Sequence, residues 1–329
     1  DLEVELATNI DQKAQEPGAI TLPAKKLLDI TRSLPGNSML EVCSESSRAM
    51  IKSGKSWFTL AAIPASEFPT IGELEPTLTL CIPSKDLKTI IEHTQFSMAH
   101  QDVRYYLNGL MLEIGNRRVR AVATDGHRLA LSEVGITVDT SLSACRDTQA
   151  AEPLQIVIPR KGVMELSRML TETSSEAHVL ISTNHVQVKL GTRRLVSKLI
   201  DGRFPDYGRV LTETGDKVVK ANREALRRGL ARTSILSNEK FRGVKIILDR
   251  NTLRSVAHNP EQEEAEEEID VEYLGAPLEI GFNALYLLDV LSAIETETVR
   301  LEFSGPDKSC LIQPEGQSGS RYVIGPMRL

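Results

Sequence analysis

Apolar and polar residues alternate through EIGNRRVRAVA (113–123) and again through LALSEV (129–134), the period of half-buried strands. Between them lies TDGHRLA (124–130), where Asp125-Gly126 reads as a tight hairpin turn, because glycine accepts positive φ and aspartate tolerates it. Five other stretches carry helical spacing: 22–35, 81–98, 158–171, 219–236 and 280–294. In three of them Leu27, Val163, Leu166, Leu226 and Leu230 form an apolar stripe expected to face a sheet.

The helices also reveal a repeat. LPAKKLLDITRSLP (22–35) resembles IPRKGVMELSRMLT (158–171), with Pro23 and Pro159 set 136 positions apart. LAAIPASEFPTI (60–71) resembles SKLIDGRFPDYG (197–208), and their Phe-Pro turns at Phe68 and Phe204 are also 136 apart. Two matches at one lag indicate a duplicated domain. A fainter third copy opens with 219–236 and takes its second helix from 280–294. The resulting α+β chain divides at 1–78, 79–208 and 209–329, each domain ordered as strands, helix, hairpins, helix, strands. On this scheme the front of the first domain is expected to precede Asp1.

A length of 329 residues fits two or three domains, and no apolar run approaches the ~18 residues of a membrane span. Cys43, Cys81, Cys145 and Cys310 lie far apart, with neither a disulfide framework nor zinc-ligand spacing, so no cofactor or metal is expected and a reducing cytoplasm fits best. The net charge of −6 argues against a protein that coats nucleic acid, but the average hides segregation. Segments 22–35, 158–171 and 221–236 carry +2, +2 and +3, whereas NPEQEEAEEEIDVEY (259–273) holds eight acids and no base. Basic residues recur at same-face spacing: Lys25 with Arg32, Lys161 with Arg168, Arg223 with Arg227, and Arg228 with Arg232. For one helix this is an ordinary solvated face. On three related helices it makes a surface that attracts a polyanion on one side only.

The His127 turn invites an enzymatic reading, a hydrolase using Asp125 and His127. Against it, no nucleophile motif, phosphate loop or dinucleotide fingerprint is found. A sequence-specific DNA-binding protein would show a helix-turn-helix or zinc arrangement, and none is found.

FSMAHQDVRYYLNG (96–109), ATDGHRLA (123–130), SKLIDGRFPDY (197–207), LSNEKFRGV (236–244), NPEQEEAEE (259–267) and the terminal YVIGPMRL resemble the bacterial sliding clamp, the β subunit of DNA polymerase III. The resemblance extends from Asp1 to Leu329. It implies a non-enzymatic processivity factor for DNA replication. Three clamp domains per chain would close with a second copy, head to tail, into a homodimeric ring with helices lining the hole and antiparallel sheets outside.

The resemblance implies three sets of residues. A groove for short linear motifs of replicative polymerase, clamp loader and repair polymerases would comprise Leu107, Thr124, Gly126, His127, Arg128, Leu129, Pro205, Arg209, Val210, Phe241, Asn283, Tyr286, Val323, Ile324, Pro326, Met327, Arg328 and Leu329. Gly325 departs from the pattern, since the family often has methionine there. Duplex DNA would meet Lys25, Arg32, Gln101, Arg104, Tyr105, Tyr106, Lys161, Arg168, Arg223 and Arg227 without reading sequence. The subunit contact would set Phe58 and Leu60 against Ile235 and Leu236 of a neighbouring copy. From the residues alone, His127 reads first as a hairpin-end histidine satisfied by backbone, one tyrosine of Tyr105-Tyr106 can pack as core, and ordinary core is the default for the four interface positions.

Overall fold

The computed structural model describes residues 2–45, 47–115, 117–136, 153–171, 175–212 and 215–328, so Cys145 and Leu329 fall outside the described residues. The chain forms two compact units, residues 1–5 with 9–73, and 6–8 with 74–329. Among the described residues, no helix is long and apolar enough to cross a membrane.

The smaller unit holds helix Ala24–Ser33, a three-stranded meander (Glu41–Glu45, Arg48–Ser53, Ser56–Ala61) and a two-stranded ribbon of Ile20–Thr21 with Ile63–Pro64. Its core is thin. Ala49, Ile51, Leu60 and Ala62 are buried, but the helix buries no residue and Leu27 is only half-buried. Pro23 precedes the helix as Pro159 precedes helix Arg160–Met169, and both helices span ten residues at the lag of 136 read from the sequence. Proline suits that position because its fixed φ presets the entry and the first turn needs no N–H from it.

The larger unit repeats one order twice. Strand Leu78–Pro83, helix Ser84–Glu92, four strands from Gly109 to Pro159, helix Arg160–Met169 and three strands to Lys198 make the first pass. Strand Lys217–Asn222, helix Arg223–Thr233, four strands from Gly243 to Asn283, helix Ala284–Ala293 and three strands to Ile324 make the second. The apolar stripes are buried: Val163, Leu166, Leu226 and Leu230 are each 1% exposed. Here Asn222 and Asn283 replace proline before the helix, and their side-chain oxygens accept from Ala225 N–H and Leu285 N–H.

The two passes share one antiparallel sheet of twelve strands. The junction is Arg128–Gly135 paired with Ser320–Ile324, in the register Arg128↔Ile324 and Leu129↔Val323. That pairing carries the hairpin tip to the C-terminal tail. The stretch 113–123, expected as one strand, contains a further reversal: Gly109–Ile114 ends and Arg118–Thr124 begins, with Ile114 opposite Val119. Leu78–Pro83, Glu176–Ile181, His185–Leu190 and Arg193–Lys198 pair in that order in a second sheet, with Leu78–Pro83 at its edge.

Candidate peptide-binding groove

The hairpin tip is held by its own residues. Asp125 Oδ1 accepts from the N–H groups of His127 (2.9 Å) and Arg128 (3.0 Å), and its Oδ2 from Arg128 Nε at 3.2 Å. Thr124 Oγ1 donates to Arg128 C=O at 2.6 Å. Gly126 lies at φ +88°, which a side chain would resist, and a Cβ there would meet the Arg104 guanidinium at 2.9 Å. Asp125 is thus an Asx turn capping its own loop, with both carboxylate oxygens engaged.

Beside this tip lies a cavity of about 490 Å³. Its lining brings together Leu107, Thr124, Gly126, His127, Arg128, Leu129, Pro205, Val210, Asn283, Tyr286, Val323, Pro326 and Met327, thirteen positions named from the sequence. Leu107, Leu129 and Val323 are nearly inaccessible and form its apolar floor. The tail is stitched over it by Gly325 N–H to His127 C=O and Met327 N–H to Gly281 C=O, both 2.8 Å. A Cβ on Gly325 would come within 2.9 Å of His127 O, so the close approach suits glycine at the position where the pattern departs.

Arg128 organises the second wall. Its Nη1 reaches Asp289 Oδ2 at 2.5 Å and its Nη2 the Phe96 carbonyl at 2.6 Å. The guanidinium carbon stacks 4.3 Å from the Tyr286 ring centroid and 5.4 Å from that of Phe96. Burial pushes the Tyr286 hydroxyl pKa up, aided by Asp125 and Asp289 and opposed by Arg128. The ring stays neutral, a flat apolar surface with a polar edge.

Other positions fall elsewhere. Ile324 is fully buried in the core because strand alternation turns it away from the face that Val323 presents. Arg209, Phe241 and Arg328 are exposed outside the cavity lining, and Leu329 is outside the described residues. Arg104, expected to face DNA, also lines the cavity, gripping Asp102 through Nε and Nη2 and reaching Asp125 C=O. Their mutual bonds hold the Asp102 carboxyl down at about 2. The structure also adds Phe204, Asp206, Tyr207 and Ser309 to the lining.

Tyr207 is the informative omission. Its hydroxyl donates to Glu113 Oε2 and accepts from Arg120 Nη1, both at 2.8 Å. Arg120 further bonds Glu113 at 3.1 Å and Glu133 at 2.7 and 2.9 Å, while Gln155 donates to Glu113. Glu113 and Glu133 are its cross-strand partners, so the network is built by sheet register. Burial works against the Arg120 charge, but its bonds to Tyr207 and Glu133 raise its pKa further.

The basic positions divide. Gln101, Lys161 and Arg168 share a second hollow of about 540 Å³ with His100, Asn108, Arg160, Met164 and Glu165. Lys25 and Arg32 are exposed on helix Ala24–Ser33. Arg227 and Arg228 both bond Glu224 on their own helix, and Arg223 turns back to Leu291 C=O at 3.1 Å. Tyr105 and Tyr106 sit on a short 3-10 turn, Tyr105 exposed and Tyr106 packed on the core. Among the interface positions Ile235 is 72% exposed and Leu236 half-buried, whereas Leu60 is already buried in its own unit and Phe58 half-buried.

Sequence profiles of the DNA polymerase III beta subunit match in chain order: its N-terminal domain over residues 1–72, central domain over 81–206 and C-terminal domain over 208–328. The beta sliding clamp of Pseudomonas putida is 46% identical and that of Escherichia coli K12 44% identical, each aligned over this whole chain and 87% of its own length. The crystal structure of the DNA polymerase III subunit beta from Pseudomonas aeruginosa superposes with a TM-score of 0.92 at 46% identity, covering all of this chain and 88% of that one. The Bartonella birtlesii sliding clamp, solved bound to griselimycin, gives 0.92 at 31% identity over 87% of its chain. This chain belongs to the beta sliding clamp family, the β subunits of DNA polymerase III.

Proposed function

We propose that the chain is a processivity factor that encircles duplex DNA and tethers a replicative polymerase to it. Two copies close head to tail into a ring, with clamp domains at 1–78, 79–208 and 209–329, working in the cytoplasm. Residues Ile235 and Leu236 of one copy meet the Phe58 strand of the next. The observation that carries this reading is the kinship, which covers the whole chain and matches three successive domains in order. The groove supports it: an apolar floor with a few oriented polar groups suits short linear motifs of the polymerase, clamp loader and repair polymerases. Exposed arginines on Arg160–Met169 and Arg223–Thr233 suit phosphate contact without base reading. A hydrolytic site at Asp125 and His127 fits poorly, since Asp125 spends both oxygens on its own loop.

A topological assay tests the proposal. Protein loaded on nicked circular DNA should stay through gel filtration, and cutting the circle should release it. Equal retention on circular and linear DNA would show binding by contact and overturn the ring reading.

A further inference from the structure

Among the described residues, outside the groove and the basic faces, one cluster joins three metal-ligating side chains. Cys81 lies on strand Leu78–Pro83 and His178 directly opposite on Glu176–Ile181, with Sγ and Nδ1 3.0 Å apart. Glu176 is two residues from His178, hence on the same sheet face. The thiol sulfur, an imidazole nitrogen and a carboxylate oxygen lie within 4.8 Å of one another. Leu80, Ile82, Ala177 and Val179 alternate with them into the core, so the trio stands on the outward face, with all three members exposed.

We propose that Cys81, His178 and Glu176 bind a divalent zinc ion. Free cysteine is ordinarily among the most buried residue types, and an exposed one set against an imidazole is an unusual placement. A thiolate, an imidazole and a carboxylate are the ligand types zinc takes, and three of them leave a fourth position for water. Zinc bonds of ~2.0–2.3 Å at tetrahedral angles set ligand atoms about 3.3–3.6 Å apart. The present 3.0 Å needs to open by only about half an ångström, within reach of side-chain rotation.

The position gives the ion a structural use. Among the described residues, Leu78–Pro83 is an edge strand, held by one neighbour. Zinc would clasp this edge to Glu176–Ile181 across 97 residues of sequence. No local spacing announces such a site, because cross-strand register assembles it.

The test uses the full chain, freed of metal, and cobalt(II) as the spectroscopic probe. One equivalent should give tetrahedral d–d bands and a thiolate-to-cobalt charge-transfer band, both displaced by zinc. Cys81→Ser should abolish the charge-transfer band. His178→Gln should weaken zinc binding, measured against a chromophoric chelator, by about a hundredfold or more, at least the loss that outer partners of a ligand produce. Glu176→Gln should weaken it less, and Cys43→Ser should leave it unchanged. Zinc should also raise the melting temperature of the parent and not of Cys81→Ser. All these changes are at exposed positions, and circular dichroism reports whether each variant remains folded. A cobalt spectrum without the charge-transfer band, or affinity that survives both Cys81→Ser and His178→Gln in folded protein, overturns the site.

Discussion

Arginine serves two purposes in this molecule, and the groove and the helix faces show them side by side. Around the groove, the side chains of Arg128 and Arg120 are 11% and 16% exposed, and their carboxylate partners come mostly from other strands and helices. On the helices, Arg168 and Arg228 are 70% and 67% exposed and pair with acids three or four residues away on the same helix. A buried guanidinium must satisfy its donors in one geometry, so it fixes shape. An exposed one is screened by water and salt, so it contributes a field. The groove wall is therefore rigid, and the helix faces are compliant.

The largest effect should come from breaking the rigid side. Arg120→Ala leaves Glu113, whose side chain is 7% exposed, with its bonds from Tyr207 and Gln155 but no opposing charge, and removes the donor to the Tyr207 hydroxyl. Such a broken buried pair costs about 3–5 kcal/mol, read by urea denaturation. Replacing Arg120 and Glu113 together by methionine and leucine should recover much of that loss. A single-mutant change under about 1 kcal/mol would class Arg120 with the surface arginines.

Next comes recognition itself. Deleting Met327–Leu329 removes the backbone bond to Gly281 and one wall of the cavity. A fluorescent peptide of Gln-Leu-x-Leu-Phe pattern should bind the intact chain in the micromolar range and lose about 2 kcal/mol, roughly thirtyfold, on truncation. The thermal melt should not move. Equal binding by both proteins would place the partner site elsewhere.

A smaller effect tests whether the rigid side extends to the seam between the two repeats. His93 Nδ1 lies 3.2 Å from Ser320 Oγ, itself 3.0 Å from Ser132 Oγ. Burial lowers the His93 pKa below its ordinary 6.5, against the pull of Glu295 and Glu92. The unfolded chain therefore takes up this proton first as pH falls. Stability from His93 is fully present above about 6.5 and is lost as pH drops through the folded-state value. The melting temperature should decline over that window, and His93→Gln should flatten the decline. An identical pH profile in the variant would remove His93 from the account.

Legibility in the sequence follows the same division. The helices are readable to the residue in places, because proline before a 3.6-residue apolar stripe is a local signal, as at Pro23 and Pro159. Thirteen groove positions come from motif resemblance, and the structure brings them around one cavity. Tyr207 escapes because its place depends on a partner far along the chain: Glu113 is 94 residues away. The pairing of Leu129 with Val323, which assembles the groove, has no local mark either. Ile324 is misplaced for want of the strand register that alternation then fixes.

The smallest effect on stability belongs to the compliant side, and there the comparison is sharpest. Arg168 pairs with Glu165 at 2.6 Å, yet at 70% exposure that bond carries little net energy. Arg168→Gln combined with Arg227→Gln should change stability by no more than about 0.5 kcal/mol for each site. DNA retention should nonetheless weaken equally for all sequences, and the slope of log affinity against log salt should fall by ~0.9 for each phosphate that is no longer neutralised. A double mutant that loses several kcal/mol would show these arginines to be structural. Unchanged stability with an unchanged salt slope would show instead that the field they create is directed at something other than DNA.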